Sequence, residues 1–172
     1  MINTMFPFSY SALDYPDPEA FACIIFVLGC KNTCVDCQNP HFKNKYYTPG
    51  KDFTIKEILE HIVTYCERHK TNHIVLSGGD SLSPENIEDT KKLLHLLSSK
   101  YEVCVYTGYE IEYVKNNKVK GFKYIKCGCY DPTQKQLSEK TSEYIQFASA
   151  NQELYDSHYN KLSNKGIFKF KQ

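Results

Sequence analysis

Four short apolar runs punctuate this chain, at 21–28 (FACIIFVL), 73–76 (HIVL), 101–106 (YEVCVY) and 122–126 (FKYIK), and stretches with helical periodicity lie between them. The first run is apolar throughout rather than alternating, the pattern of a strand buried on both faces. After it, Thr54 and Glu57 are spaced as a capping box, and Ile55, Ile58, Leu59, Ile62 and Cys66 follow at helical spacing. Ser83 and Pro84 predict the cap and first turn of a second helix that runs through Leu97. Residues 109–116 predict a short third helix. Strands alternating with helices require right-handed crossovers, so the expected fold is α/β with a parallel sheet.

A length of 172 residues corresponds to one domain, with no linker or repeat to divide it. Pro7, Pro16 and Pro18 bar a regular helix from residues 1–20, which predicts a lead-in strand or arm. Residues 29–53 mix cysteine, proline and glycine without periodicity and read as a long functional loop. Beyond Tyr130 the pattern fades: 144–148 reads as a further strand and the lysine-rich stretch 161–172 as a solvated tail.

Charge and composition exclude several classes. Lys and Arg number 21 against 20 Asp and Glu, and Arg68 is the only arginine, so the guanidinium forks that read phosphate and guanine are missing. No nucleic-acid partner is expected. The run 21–28 falls far short of the roughly 20 apolar residues that cross a bilayer, and residues 1–10 carry no Lys or Arg to open a signal peptide. The expectation is a cytoplasmic protein with no membrane contact. In a reducing compartment its 8 cysteines are metal ligands, reactive thiols or small core residues rather than disulfides.

Four chemical-looking segments, 29–40, 77–80, 107–109 and 127–130, each directly follow one of the four runs. In a parallel sheet all strand C-terminal ends lie at one face, where such folds place ligands, so the four loops are expected to converge. The strongest signal is Cys30, Cys34 and Cys37, a C-x3-C-x2-C run. Three thiolates in one loop can hold three corners of an iron–sulfur cube, whereas a structural zinc site needs a fourth ligand, for which Cys127, Cys129 or His41 are available.

These residues resemble the radical S-adenosylmethionine enzymes, in which C-x3-C-x2-C follows the first strand and a glycine-glycine-acid motif, here Gly78-Gly79-Asp80, follows the second. Asn39 just beyond the last cysteine, LSGGDSL at 76–82, YTGY at 106–109 and FASANQ at 147–152 narrow the resemblance to the activating proteins of anaerobic ribonucleotide reductase. It spans roughly residues 20–156 of a single radical S-adenosylmethionine domain over 1–172, leaving 157–172 as a tail. The resemblance implies an incomplete, partial TIM-type barrel of parallel strands with crossover helices and the site at the strand C-terminal ends. Cys30, Cys34 and Cys37 would ligate a 4Fe-4S cluster, with S-adenosyl-L-methionine on the remaining iron. Asp36, Cys37, Gln38 and Asn39 would line the cofactor, the backbone around Asp36 and Gln38 near its adenosine. Gly78 and Gly79 would admit its methionine end, Gly79 by letting the main chain approach the ammonium, with Asp80 and Thr107 beside them.

The implied activity is reductive cleavage of S-adenosylmethionine to a 5'-deoxyadenosyl radical, which takes a hydrogen atom from a glycine of the anaerobic ribonucleotide reductase catalytic subunit. The electron donor would be a reduced flavodoxin or ferredoxin. No side chain is assigned as acid, base or nucleophile, because hydrogen-atom abstraction needs none. The alternatives keep the cluster and change the target, to another glycyl-radical enzyme or a small molecule, or reduce the chain to a non-catalytic iron–sulfur or zinc protein. Asp36 and Gln38 stand where the related proteins often have aromatic residues, Cys127 where they have aspartate, Ala148 where they have glycine and Glu153 where they have arginine. Cys23, Cys66 and Cys104 read as core packing, and Cys127 and Cys129 stay without an assigned role.

Overall fold

A computed structural model of the chain describes residues 1–171; Gln172 lies outside the described residues. In chain order the elements are β1 (Ile2–Thr4), β2 (Ser9–Ser11), β3 (Ala22–Val27), β4 (Lys51–Phe53), α1 (Ile55–His69), β5 (His73–Gly78), α2 (Ile87–Leu97), β6 (Glu102–Tyr106), α3 (Ile111–Asn116), β7 (Tyr124–Cys127), β8 (Glu139–Lys140), β9 (Tyr144–Gln146), β10 (Glu153–Asp156) and β11 (Ile167–Lys169). The main sheet runs β10-β7-β6-β5-β3-β1-β4, with β2 also on β3. Its centre is parallel, β3 to β5 to β6 to β7, and antiparallel strands flank it on either side. The protein is therefore mixed α/β with a mostly parallel central sheet.

The four predicted strands are the four parallel ones, and their apolar character follows from burial on both faces. Cys23, Ile25, Val27, Ile74, Leu76, Val103, Val105 and Ile125 point to one side and meet Ile58, Ile62 and Cys66 of α1 and Leu93, Leu94 and Leu97 of α2. The alternate residues Ala22, Ile24, Val75 and Cys104 point to the other side, where Tyr15 and Ala20 of the lead-in arm cover them. Helix α1 starts as its sequence predicts: the Glu57 amide donates to Thr54 Oγ1 at 3.2 Å, and Glu57 Oε2 accepts from the Thr54 amide at 2.8 Å.

Three expectations need correction. Helix α2 begins at Ile87 rather than at Ser83: the Ser83 carbonyl accepts from the amides of Asn86 and Ile87, so 83–86 is a turn leading into the helix. The third helix is shorter than 109–116, starting at Ile111, with Glu110 before it in extended backbone. The stretch 161–172 is not a solvated tail over its described part, because Ile167–Lys169 pairs with β9 and Phe168 and Phe170 pack on Ile145, Phe147 and Leu154. Its lysines set the composition, while its alternating aromatics set the fold.

Candidate iron–sulfur site

The segments after β3, β5, β6 and β7 meet at one end of the sheet, through hydrogen bonds that run from each loop to the next. After β3, the Gly29 amide donates to the Phe42 carbonyl at 2.8 Å and the Cys30 amide to that of Lys43 at 3.1 Å, which returns the loop to the strand end. The Asp80 amide donates to the Gly29 carbonyl at 2.8 Å. The Thr107 amide donates to the Lys126 carbonyl at 2.9 Å, and the Gly128 amide to the Tyr109 carbonyl at 3.1 Å.

Asp80 joins three of the loops. Its carboxylate is buried and accepts from the Leu82 amide at 2.9 Å, the Thr107 hydroxyl at 2.9 Å, the Gly108 amide at 2.9 Å and Asn32 Nδ2 at 2.9 Å. Burial raises its pKa above the ordinary carboxylate value, and the Gly108 and Leu82 amides and the Thr107 hydroxyl pull against that rise. With its oxygens so engaged, Asp80 acts as a tie between the cysteine loop and the loop after β6. Thr107 is buried in the same network, its hydroxyl accepting from the Tyr109 amide.

Gly79 is required by the same packing. A Cβ there would stand 2.5 Å from the Phe42 carbonyl oxygen and 2.7 Å from that of Gly29, so the main chain at both ends of the cysteine loop occupies the place of a side chain. Gly78 adopts a φ of +108°, a left-handed backbone that favours glycine. The glycine pair thus seats the cysteine loop against the end of β5.

The three cysteines of that loop are free thiols, each half-buried. Burial raises the pKa of Cys30, with a backbone hydrogen bond from Asn32 opposing. Apart from a turn at Val35 and Asp36, where Asp36 adopts a φ of +56°, residues 31–38 have no regular structure. Gln38 is exposed and Asn39 half-buried ahead of a short 3-10 turn at Pro40–Lys43. Among the described residues no three His, Cys, Asp or Glu side chains stand close enough together to cage a metal ion. The loop holds three soft sulfur donors near a surface cleft, the donor set an iron–sulfur cluster takes, on a segment with few contacts to fix it beforehand. Cys127 is buried among the helix-side core residues, and exposed His41 stacks on Tyr47.

Three residues of this end were not singled out from sequence. Asn32 reaches Asp80, as described. Asn86, buried before α2, donates through Nδ2 to the Leu28 carbonyl at 2.9 Å and the Asp80 carbonyl at 3.0 Å. Lys126 turns away from the helices, its ammonium 5.3 Å from the Tyr106 ring centroid, with no hydrogen-bond or ion-pair partner among the described residues. Burial lowers its pKa, and Cys127, Asp80, Cys129 and Cys34 oppose that fall. Only a lysine in a strand, FKYIK, signals it in the sequence. The FASANQ segment braces the loop after β7. Asn151 Nδ2 donates to the Cys129 carbonyl at 2.8 Å, Gln152 Nε2 to that of Gly128 at 3.3 Å, and Ser149 Oγ accepts from the Asp131 amide at 3.2 Å.

Comparison with known proteins agrees with this loop chemistry. Residues 19–155 match the family described as 4Fe-4S single cluster domain. The anaerobic ribonucleoside-triphosphate reductase-activating protein of Escherichia coli K12 is 31% identical over 109 residues, covering 60% of this chain and 68% of that protein. The protein of the same name from Enterobacteria phage T4 is 26% identical over 105 residues, 59% of this chain and 65% of its own length, and that of Haemophilus influenzae is 28% identical over 109 residues. The matched span contains the cysteine loop and all four parallel strands, and on that ground the chain belongs to the 4Fe-4S single cluster domain family and to the anaerobic ribonucleoside-triphosphate reductase-activating proteins.

Proposed function

We propose that this protein is a radical S-adenosylmethionine activase that forms a glycyl radical on the catalytic subunit of an anaerobic ribonucleotide reductase. The observation that carries the reading is the C-x3-C-x2-C loop, tied by Asp80 and Asn86 to the C-terminal end of a parallel sheet, in a chain of this family. Cys30, Cys34 and Cys37 are the residues that would hold a 4Fe-4S cluster. The chemistry supplied by the bound cluster and S-adenosylmethionine is one-electron cleavage of the sulfonium and, through it, hydrogen-atom removal from a partner glycine.

The chain's own residues position and enclose. Asp36, Cys37, Gln38 and Asn39, with Gly78, Gly79, Asp80 and Thr107, are the residues that would line the bound cofactor. Asp80 and Thr107 act by holding the loops in register rather than by proton transfer. Lys126 presents an amine on the face away from the helices, which would pair with a ligand carboxylate. The parallel sheet reads as an incomplete TIM-type barrel, and residues 1–172 as one radical S-adenosylmethionine domain. A reduced flavodoxin or ferredoxin is the proposed electron source, the cytoplasm the proposed location, and neither nucleic acid nor membrane a proposed partner. No helix of the described residues is long and apolar enough to cross a membrane.

The test is release of 5'-deoxyadenosine by anaerobically reconstituted protein given reductant and S-adenosylmethionine. Wild type is expected to form it and Cys34→Ala to form none. A fully reconstituted wild type that yields none, even with a reductase present, would overturn the activase reading in favour of a non-catalytic iron–sulfur protein.

A further inference from the structure

Cys34 and Cys129 come from distant parts of the chain and meet at the site. They line one and the same cleft, near enough for Cys34 to help raise the Cys129 pKa. That cleft, of about 270 Å³, is open and is lined also by Thr33, Val35 and Asn151, so small solutes reach both thiols. Cys129 is held there: Asn151 fixes its carbonyl, and its Sγ packs so closely on Gly108 that a Cβ on that glycine would lie 2.9 Å away. Cys127 does not compete, since it faces the helix-side core. No third metal-binding side chain joins the pair in a cage among the described residues. What the geometry offers is a dithiol.

We infer that Cys129 is a resolving cysteine for Cys34: when the loop holds no cluster, oxidation joins the two in a disulfide that keeps Cys34 from irreversible oxidation. That the spared residue is a cluster ligand rests on the reading of Cys34 proposed above; the pairing itself does not. The oxidant is a hydroperoxide. The Cys34 sulfur attacks a peroxide oxygen, the O–O bond breaks, and Cys34 becomes a sulfenic acid as one water leaves. The Cys129 sulfur then attacks the sulfenic sulfur, the S–O bond breaks, and the thiol proton leaves with the oxygen in a second water. Two electrons pass from the two thiols to one hydrogen peroxide. A dithiol reductant restores both thiols by exchange.

The alternative fate explains the benefit. A sulfenic acid with no thiol beside it goes on to sulfinic and sulfonic acids, which ordinary thiols do not reverse, and neither can serve as a cluster ligand. Closing the bond requires the sulfurs to approach to about 2.05 Å. The irregular segment 31–38 that carries Cys34 can supply that movement.

The test uses full-length, cluster-free protein treated with one equivalent of hydrogen peroxide, alkylated, digested and mapped by mass spectrometry. The expected product is a Cys34–Cys129 cross-linked peptide that a dithiol removes. In Cys129→Ser, given excess peroxide so that the second oxidation has its own equivalent, the expected product is Cys34 sulfinic acid, and after reduction this variant takes up several-fold less iron and sulfide than wild type treated alike. A wild type whose Cys129 stays unlinked, or whose Cys34 links instead to Cys30 or Cys37, overturns the pairing. If linked wild type takes up a full cluster before reduction, Cys34 is not a ligand; the protective role then falls while the pairing stands.

Discussion

Among the described residues two pairs of cysteines lie together, and they are opposite in kind. Cys23 of β3 and Cys66 of α1 meet in the core between sheet and helix, each no more than 1% exposed. The interaction with Cys66 and burial together raise the Cys23 pKa, while the same interaction lowers that of Cys66. Cys34 and Cys129 meet at a cleft, where burial first and the nearby Cys34 second raise the Cys129 pKa. The first pair rests on a strand and a helix held by the whole core, the second on loops held by a few side-chain hydrogen bonds. Nearness of two sulfurs is thus common to a packing detail and to a candidate site, and what separates them is access and freedom to move.

The sharpest test of that separation is metal loading. Cys34→Ala should abolish uptake of a 4Fe-4S cluster on anaerobic reconstitution, followed by iron and sulfide content, while Cys66→Ala should load as wild type does. Equal loading in the two variants would place the ligands elsewhere. A loss in Cys66→Ala alone would show that the core pair, not the cleft pair, governs the cluster.

Much of this contrast is legible in the sequence because it is local. The run 21–28 marks β3 and its buried cysteine, the Thr54–Glu57 pair marks the start of α1, and three closely spaced cysteines after a strand mark the loop. What the sequence hides depends on contacts between distant positions. Asn86 resembles any polar residue before a helix, yet its amide holds the carbonyls of Leu28 and Asp80. Asp80 reads as one letter of a ligand motif, whereas its four donors make it a structural tie. The nearness of Cys129 to Cys34 needs the topology of the whole sheet, and the pairing of β11 was obscured by the lysines around its aromatics.

The tie offers the next largest effect. Asp80→Ala leaves the amides of Leu82 and Gly108, the Thr107 hydroxyl and Asn32 without their acceptor, and at about 1–3 kcal/mol for each buried group left unpaired the loss should be several kcal/mol in denaturant unfolding. Its pH dependence has a definite sign. A carboxyl whose folded pKa is raised contributes most stability below its unfolded value of about 3.9, and that contribution is lost as pH climbs through the folded value. The Asp80→Ala deficit should therefore be larger in mild acid than near neutrality; a deficit that grows with pH would mean that the donors outweigh burial. The same variant should weaken peroxide cross-linking of Cys34 to Cys129, since the loops lose their common anchor, and should leave Cys23 and Cys66 protected from alkylation.

Asn86→Ala should act in the same direction with smaller amplitude. Two of the carbonyls its amide serves have other partners, the Gly29 oxygen accepting also from the Asp80 amide and the Asp80 oxygen from the Ser83 amide, so about 1–2 kcal/mol of stability is expected to go. Cluster loading should become slower rather than fail. Unchanged stability and loading would assign the positioning of the cysteine loop to Asp80 alone.

The smallest effect is expected at the core pair. Cys66→Ala removes one buried sulfur from a site bounded by Cys23 and the α1 face, and with partial collapse around so small a deletion the cost should be about 1 kcal/mol. Cys66→Ser keeps an acceptor for the Cys23 thiol but buries a hydroxyl in apolar surroundings, so it should cost more than alanine if packing governs the pair and less if the hydrogen bond does. Equilibrium unfolding of the two variants decides between these, and the order Ser below Ala is expected, because a thiol is a weak donor and the surroundings are apolar. The reverse order would give the Cys23–Cys66 contact a specific hydrogen-bonding role and narrow its difference from the pair in the cleft to access alone.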